Sequence, residues 1–184
     1  MNVNLLSDTE AEQLRQLIAE AEHIVICAHK SPDGDAIGSS LAWKSYLKQI
    51  GKTDVTVCMP DAYPDFLQWL PEANTILRYD KHPDRVQQVF DNADLLCCLD
   101  FNQYTRVEDM RPTLEGCKAK RILIDHHLEP ETNNAITVSN PNMSSTSEMV
   151  FYIISQLGGY DGMTKECAQC IYCGMITDTG GFTY

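Results

Sequence analysis

The chain has 184 residues, 43% of them apolar, and sets 26 acidic against 14 basic side chains for a formal net charge of −12. That length supplies one domain with a substantial core, and no run approaches the roughly 18 apolar residues that a membrane span requires. The acidic balance argues against tight, non-specific binding of long duplex nucleic acid, which depends on basic surface, but admits a small phosphorylated substrate whose charge is met by metal ions.

The N-terminus, Met1-Asn2-Val3-Asn4, has neither the basic nor the apolar region of a secretory leader, so a cytoplasmic protein is expected. Eight cysteines in such a chain do not read as a disulfide framework. Cys27, Cys58, Cys97 and Cys98 sit inside apolar runs, as small hydrophobes do. Cys167, Cys170 and Cys173 recur at i, i+3 and i+6, the spacing of one helix face, and a metal reading of the three lacks a fourth ligand nearby.

In chain order, Ser7-x2-Glu10 is a capping box, followed by Leu14, Leu17, Ile18 and Ala21 at helical spacing. Residues 23–28 are a buried strand. They run into His29-Lys30-Ser31-Pro32-Asp33-Gly34-Asp35, a turn that Pro32 and Gly34 make. A helix from Asp35 or Ala36 to Ile50 follows and stops at Gly51. Residues 55–58 form a second strand. Four prolines make 59–83 irregular apart from a helical patch at 66–70, and this stretch is a candidate wall for a substrate cleft. A helix over 83–91 precedes the strand 95–99, which delivers Asp100. After a polar, partly helical stretch, the strand 122–124 delivers Asp125-His126-His127. A short strand near 135–138 comes next. Ser145-x2-Glu148 is a second capping box, opening a helix with Met149, Val150, Ile153, Ile154 and Leu157 inward. The last helix starts near Lys165 and runs into Gly174-Met175-Ile176-Thr177-Asp178-Thr179-Gly180-Gly181.

Strands alternating with helices predict an α/β fold: a mainly parallel sheet in a three-layer arrangement, with helices on both faces. In such sheets the site lies at the carboxyl ends of the strands, where His29, Asp100 and Asp125 each fall. Ionised carboxylates are too costly to bury without water, partners or metal. Each member has an ordinary alternative: Asp-Gly marks turns, Asp100 or Asp178 caps a helix, and His126 is a core histidine. The set of His29, Asp33, Asp35, Asp100, His126 and Asp178 together favours a two-metal site. Carboxylates suit Mg, Ca or Mn, and imidazoles shift the preference toward a transition metal. Two Mn²⁺ ions are therefore expected, with Co²⁺ or Mg²⁺ as substitutes. Sharing a carboxylate about 3.5–4 Å from one another, they activate a hydroxide for in-line attack on phosphorus.

His29-x3-Asp33-Gly34-Asp35, Asp100, Asp125-His126-His127 and Thr177-Asp178-Thr179-Gly180 resemble, in order, the four motifs of the DHH phosphoesterase family. The phrase from His29 to Ser39 most resembles the branch that degrades short oligoribonucleotides (nanoRNA) and dephosphorylates 3′-phosphoadenosine 5′-phosphate. The resemblance implies His29, Asp33 and Asp100 on one metal and Asp35, Asp100, His126 and Asp178 on the other, with Asp100 bridging. It implies that His127 faces the substrate phosphate or leaving group, with Asp125 orienting the histidines. Arg106 is a candidate phosphate contact, or alternatively a solvated arginine. Ser145 and Thr146 are candidate substrate-binding hydroxyls, although an N-cap role explains Ser145 as well.

The implied partners are a short oligoribonucleotide or nucleoside bisphosphate, with no long duplex and no membrane, and a homodimer is compatible. Residues 1–184 correspond to the family's metal-binding domain. The glycine-rich substrate-binding domain is absent from this sequence, whose end just past Asp178 reads as a truncation. The span is therefore expected to bind metal but hydrolyse weakly. The alternatives are a cyclic-dinucleotide phosphodiesterase, a pyrophosphatase or exopolyphosphatase, and a regulatory domain that senses metal or nucleotide without turnover.

Overall fold

The computed structural model describes residues 3–183. Met1 and Asn2, on which the leader reading partly rests, and Tyr184, on which the truncation reading rests, lie outside the described residues. The expected capping box opens α1 (Asp8–Glu20): Glu10 N donates to Ser7 Oγ, and Ser7 N donates back to the Glu10 carboxylate. Its apolar stripe of Leu14, Leu17 and Ile18 is buried. β1 (His23–Cys27) leads through Ala28 to His29. α2 (Gly34–Gln49) begins earlier than expected, because the Asp33 carboxylate caps it by accepting from the backbone N–H groups of Asp35 and Ala36. Gly34 is thus the first helical residue rather than part of the turn. Just past the end of α2, Gly51 adopts φ 93°, a left-handed conformation that glycine reaches without steric cost.

β2 (Asp54–Met59) is followed by two 3₁₀ turns, Asp65–Leu67 and Ala73–Thr75, and by an unexpected strand, β3 (Leu77–Arg78). Then come α3 (Pro83–Asn92), β4 (Leu95–Leu99), a 3₁₀ segment over Tyr104–Met110 and α4 (Arg111–Gly116). β5 (Lys120–Asp125), β6 (Ile136–Ser139), α5 (Thr146–Gln156) and α6 (Lys165–Asp178) complete the order.

The six strands pair in the order β3-β2-β1-β4-β5-β6, every pair parallel. Both faces are covered, which is why the central strands are continuously apolar. One face carries α1, α2, α5 and α6 over Ile24, Ile26, Val57, Leu95, Ile122 and Ile124. The other carries α3, the 3₁₀ segment and α4 over Val25, Cys27, Leu96, Cys98 and Leu123. This is the expected three-layer α/β fold. All eight cysteines are free and buried, and Cys167, Cys170 and Cys173 pack into the core from α6. No helix among the described residues is long and apolar enough to cross a membrane.

Two features of this architecture place the site. Strand order reverses between β1 and β4, and a crevice forms at such a switch point beyond the strand carboxyl ends. α2 and α6 also cross at unusually close range. A Cβ on Gly38 would lie 2.6 Å from the Cys170 carbonyl oxygen of α6, and one on Gly174 would lie 2.8 Å from Asp35 Oδ1 of α2 and 1.9 Å from Ser147 Oγ of α5. Only glycine at both positions lets α6 descend far enough to bring its last residue, Asp178, over the crevice.

Candidate metal centre

His29 leaves β1 and is 6% exposed. Its Nδ1 lies 2.8 Å from the Lys30 carbonyl oxygen. A carbonyl can only accept, so Nδ1 carries a proton, and Nε2 is the nitrogen turned toward the carboxylates. That Nε2 faces Asp100 Oδ2 at 3.4 Å and Asp33 Oδ1 at 3.8 Å. His126, one residue past β5, repeats the device. Its Nδ1 is 3.3 Å from the Met143 carbonyl oxygen, and its Nε2 faces Asp178 Oδ2 at 3.5 Å and Asp100 Oδ1 at 3.8 Å. Asp100 follows β4 directly with φ 61°, a left-handed backbone that Asp tolerates better than most residues. Its two carboxylate oxygens are thereby divided between the two imidazoles.

Asp35 is 1% exposed. Its carboxylate accepts from Thr146 N at 2.6 Å and from Ser147 N at 2.8 Å, both in the first turn of α5. Ligand atoms of His29, Asp33 and Asp100 lie within 4.8 Å of one another, as do those of Asp35, His126 and Asp178, and those of Asp100, His126 and His127. The structure therefore brings together all six residues expected as metal ligands. No cysteine belongs to any such group among the described residues.

The electrostatics show a site short of positive charge. Burial, and then the charge of Asp100, push the Asp35 carboxyl well above its ordinary pKa, against the N–H groups that accompany it. Burial likewise raises Asp178, with the charges of Asp100 and Asp33 adding and that of His126 opposing. For Asp100 burial acts upward too, but the hydrogen bond and charge of His29, with help from His126 and Thr146, hold it below the usual value. Burial acts to lower His29, yet Asp100 and the Lys30 carbonyl outweigh it and the pKa rises. In the metal-free cluster protons offset part of the crowded negative charge, and a divalent cation would take their place among the same nitrogens and oxygens. Mixed imidazole and carboxylate donors, with each ring's other nitrogen anchored to a carbonyl, fit a divalent transition metal.

His127 is built differently. Its Nδ1 is 2.7 Å from Asp125 Oδ1, and its backbone N donates to Asp125 Oδ2 at 3.0 Å. Asp125 is fully buried, and its hydrogen bond is the main reason that the His127 pKa is raised. Asp125 thus orients His127 alone, whereas His126 takes its orientation from Met143. Arg106 is exposed, and its charge opposes protonation of His127, an effect that Asp125 outweighs. The backbone carbonyl of Arg106 also accepts from Lys30 N at 2.9 Å.

The two hydroxyls expected to meet substrate are both engaged within the chain. Ser145 and Thr146 are fully buried. Ser145 Oγ accepts from Glu148 N as the N-cap of α5, and Thr146 Oγ1 donates to Asp100 Oδ1 at 2.9 Å. The sequence pattern located the right stretch, but side-chain direction at a helix start is decided by what packs against it. Gly38, Gly174 and the Met143 carbonyl were missed altogether. The Gly34-x3-Gly38 spacing was the one available signal for the first.

A doubly wound α/β domain with a histidine–carboxylate cluster at its switch point defines a class of metal-site domains. The model of the DHH family, N-terminal domain, matches residues 23–175, and the chain belongs to that family. The bifunctional oligoribonuclease and PAP phosphatase NrnA of Thermus thermophilus is 35% identical over 161 residues, 88% of this chain and 44% of its own length. An exopolyphosphatase-related protein from Bacteroides fragilis is 43% identical with a TM-score of 0.96, over 99% of this chain and 53% of that one. RecJ of Thermus thermophilus in complex with Mn²⁺ shares the fold, at 18% identity and a TM-score of 0.55 over 92% of this chain and 23% of that one. The chain spans about half the length of the first two.

Proposed function

We propose that the chain is the metal-binding half of a Mn²⁺-dependent phosphoesterase acting on short oligoribonucleotides or on 3′-phosphoadenosine 5′-phosphate. The observation that carries this reading is that Asp100 faces His29 through Oδ2 and His126 through Oδ1. One buried carboxylate that serves two imidazoles from opposite sides supports a pair of ions rather than one. His29, Asp33 and Asp100 would hold the first ion, and Asp35, Asp100, His126 and Asp178 the second. Bound Mn²⁺ would supply Lewis acidity toward phosphoryl oxygens and lower the pKa of water. The substrate class follows the names of the relatives NrnA.

The chain's own groups take the remaining roles. With Nδ1 fixed on Asp125, His127 leaves Nε2 available to give a proton to a leaving oxygen, and its raised pKa keeps that proton in place. Arg106 meets the non-reacting phosphoryl charge.

The test is a hydrolysis panel with the purified chain at high enzyme concentration. Slow release of mononucleotide from a five-residue RNA and of phosphate from 3′-phosphoadenosine 5′-phosphate is expected with Mn²⁺, and none with chelator. Preferential turnover of pyrophosphate or cyclic di-AMP would overturn the substrate assignment. Turnover that persists in chelator would overturn the metal reading.

A further inference from the structure

The first turn of α5 touches only part of the cluster. Ser145, as N-cap, is occupied with Glu148 N. This leaves the N–H groups of Thr146 and Ser147, which have no partner inside the helix, to converge on the two oxygens of Asp35. Thr146 then turns its hydroxyl onto Asp100 Oδ1. A carboxylate cannot donate, so the hydroxyl must, and β-branching leaves it few alternative rotamers. The oxygen chosen is the one that faces His126 Nε2, while Oδ2, facing His29, receives nothing from α5. Among the described hydrogen bonds, none runs from α5 to His29 or Asp33.

Resting on the two-ion reading above, we infer that Thr146 is a positioning residue for one ion position only, the one formed by Asp35, Asp100, His126 and Asp178. Each carboxylate oxygen has two lone-pair directions. A hydrogen bond that occupies one of them fixes where the other points. Thr146 does this for two ligands of the same ion at once, through its backbone on Asp35 and through its side chain on Asp100. The hydroxyl is thereby a determinant of that position's affinity relative to the other, and so of the concentration window in which only one ion is bound.

The test is stepwise Mn²⁺ titration by calorimetry, with the spin-coupled electron paramagnetic resonance signal of an ion pair as second readout. Wild type is compared with Thr146→Val, Thr146→Ala and Thr146→Ser. Wild type is expected to take up two ions. Thr146→Val should weaken one of them by about 10–100-fold, the effect typical of a lost partner behind a metal ligand. The other ion should stay unchanged, and the pair signal should vanish while the signal of a single bound ion remains. Thr146→Ser should restore both. Thr146→Ala removes the same hydroxyl without setting a methyl against Asp100, so a folding defect in the valine variant alone leaves the result decided. Equal weakening of both ions, no weakening of either, or failure of serine to restore would overturn the inference. Wild type that binds fewer than two ions would instead overturn the two-ion reading, and the inference with it.

Discussion

His29 and Asp33 lie four residues apart on the single loop that joins β1 to α2, and Asp33 has a largely exposed side chain that also caps the helix. Asp35, His126 and Asp178 come from α2, the end of β5 and the end of α6, and Asp35 is held from behind by backbone groups 111 and 112 residues away. Of the first set, two members share one loop and only Asp33 is exposed. The second set is drawn from three elements, with Asp35 fully buried and His126 and Asp178 partly so. Where ligands come from one loop, the loop's own hydrogen bonds set the geometry. Where they come from three elements, helix packing must set it, and the packing tolerates little change.

The largest effect is expected from the residue common to both positions. Asp100→Asn should abolish binding of both ions and cut turnover by at least about 10³-fold, the scale of losing one electrostatic stabiliser in a site. Without the Asp100 charge the His29 imidazole loses what raises its pKa, so the amide should donate to Nε2 while its oxygen still accepts from Thr146. Metal-free stability should therefore hold or rise by about 1 kcal/mol, the worth of one net hydrogen bond. Metal analysis and a denaturant melt on the same preparation check both parts. A variant that keeps either ion would break the picture of a shared ligand.

His127, proposed as proton donor although a ring nitrogen lies within 4.8 Å of ligand atoms of Asp100 and His126, serves as the control. In an enzyme that carries its substrate-binding half, His127→Ala should lower the rate by about 10²–10⁴-fold, the usual range for a positioned proton donor. Both ions should remain bound. Loss of metal would place His127 among the ligands instead.

Gly174→Ala addresses the second position. Alanine gains about 1 kcal/mol in intrinsic helix propensity, but its Cβ would sit 1.9 Å from Ser147 Oγ and 2.8 Å from Asp35 Oδ1. Overpacking of this kind costs about 1–3 kcal/mol, so the variant should be less stable and should lose the second ion before the first. Unchanged stability together with two ions would show that α5 and α6 yield more easily than their contacts imply.

The first position should respond more mildly. Asp33→Ala removes the cap of α2 and should cost about 1 kcal/mol, whereas Asp33→Asn keeps a capping oxygen and should cost a few tenths. Both should weaken the first ion, because both remove the charge. Equal stability losses would mean that the cap carries no energy of its own.

Much of this was legible before any coordinates. The runs 23–28, 95–99 and 122–124 are continuously apolar and end on His29, Asp100 and Asp125, because strands buried on both faces have no alternation to hide their boundaries. β3 was not legible, since two residues carry no period and depend on pairing with Cys58 and Met59. The carbonyls of Lys30 and Met143 that set the ring tautomers were invisible for a different reason: every residue has a carbonyl, and only the fold decides which one meets a histidine. Thr146 was singled out for substrate, and its hydroxyl is found on the Asp100 carboxylate. A hydroxyl beside a metal site and a hydroxyl behind it look alike in sequence, and burial alone separates them.

The wide separation between Asp35 and its backbone partners on α5 has a kinetic meaning. Contacts between residues far apart in sequence form late, because the intervening chain must be ordered first. A chain emerging from a ribosome folds from its N-terminus, so β1, β2 and β4 can pair while α5 and α6 are still unmade. At that moment His29, Asp33 and Asp100 are present, and Asp178 does not yet exist. On the two-ion proposal, a nascent domain at that stage would offer only the first set of ligands, and the second would be completed when α6 docks.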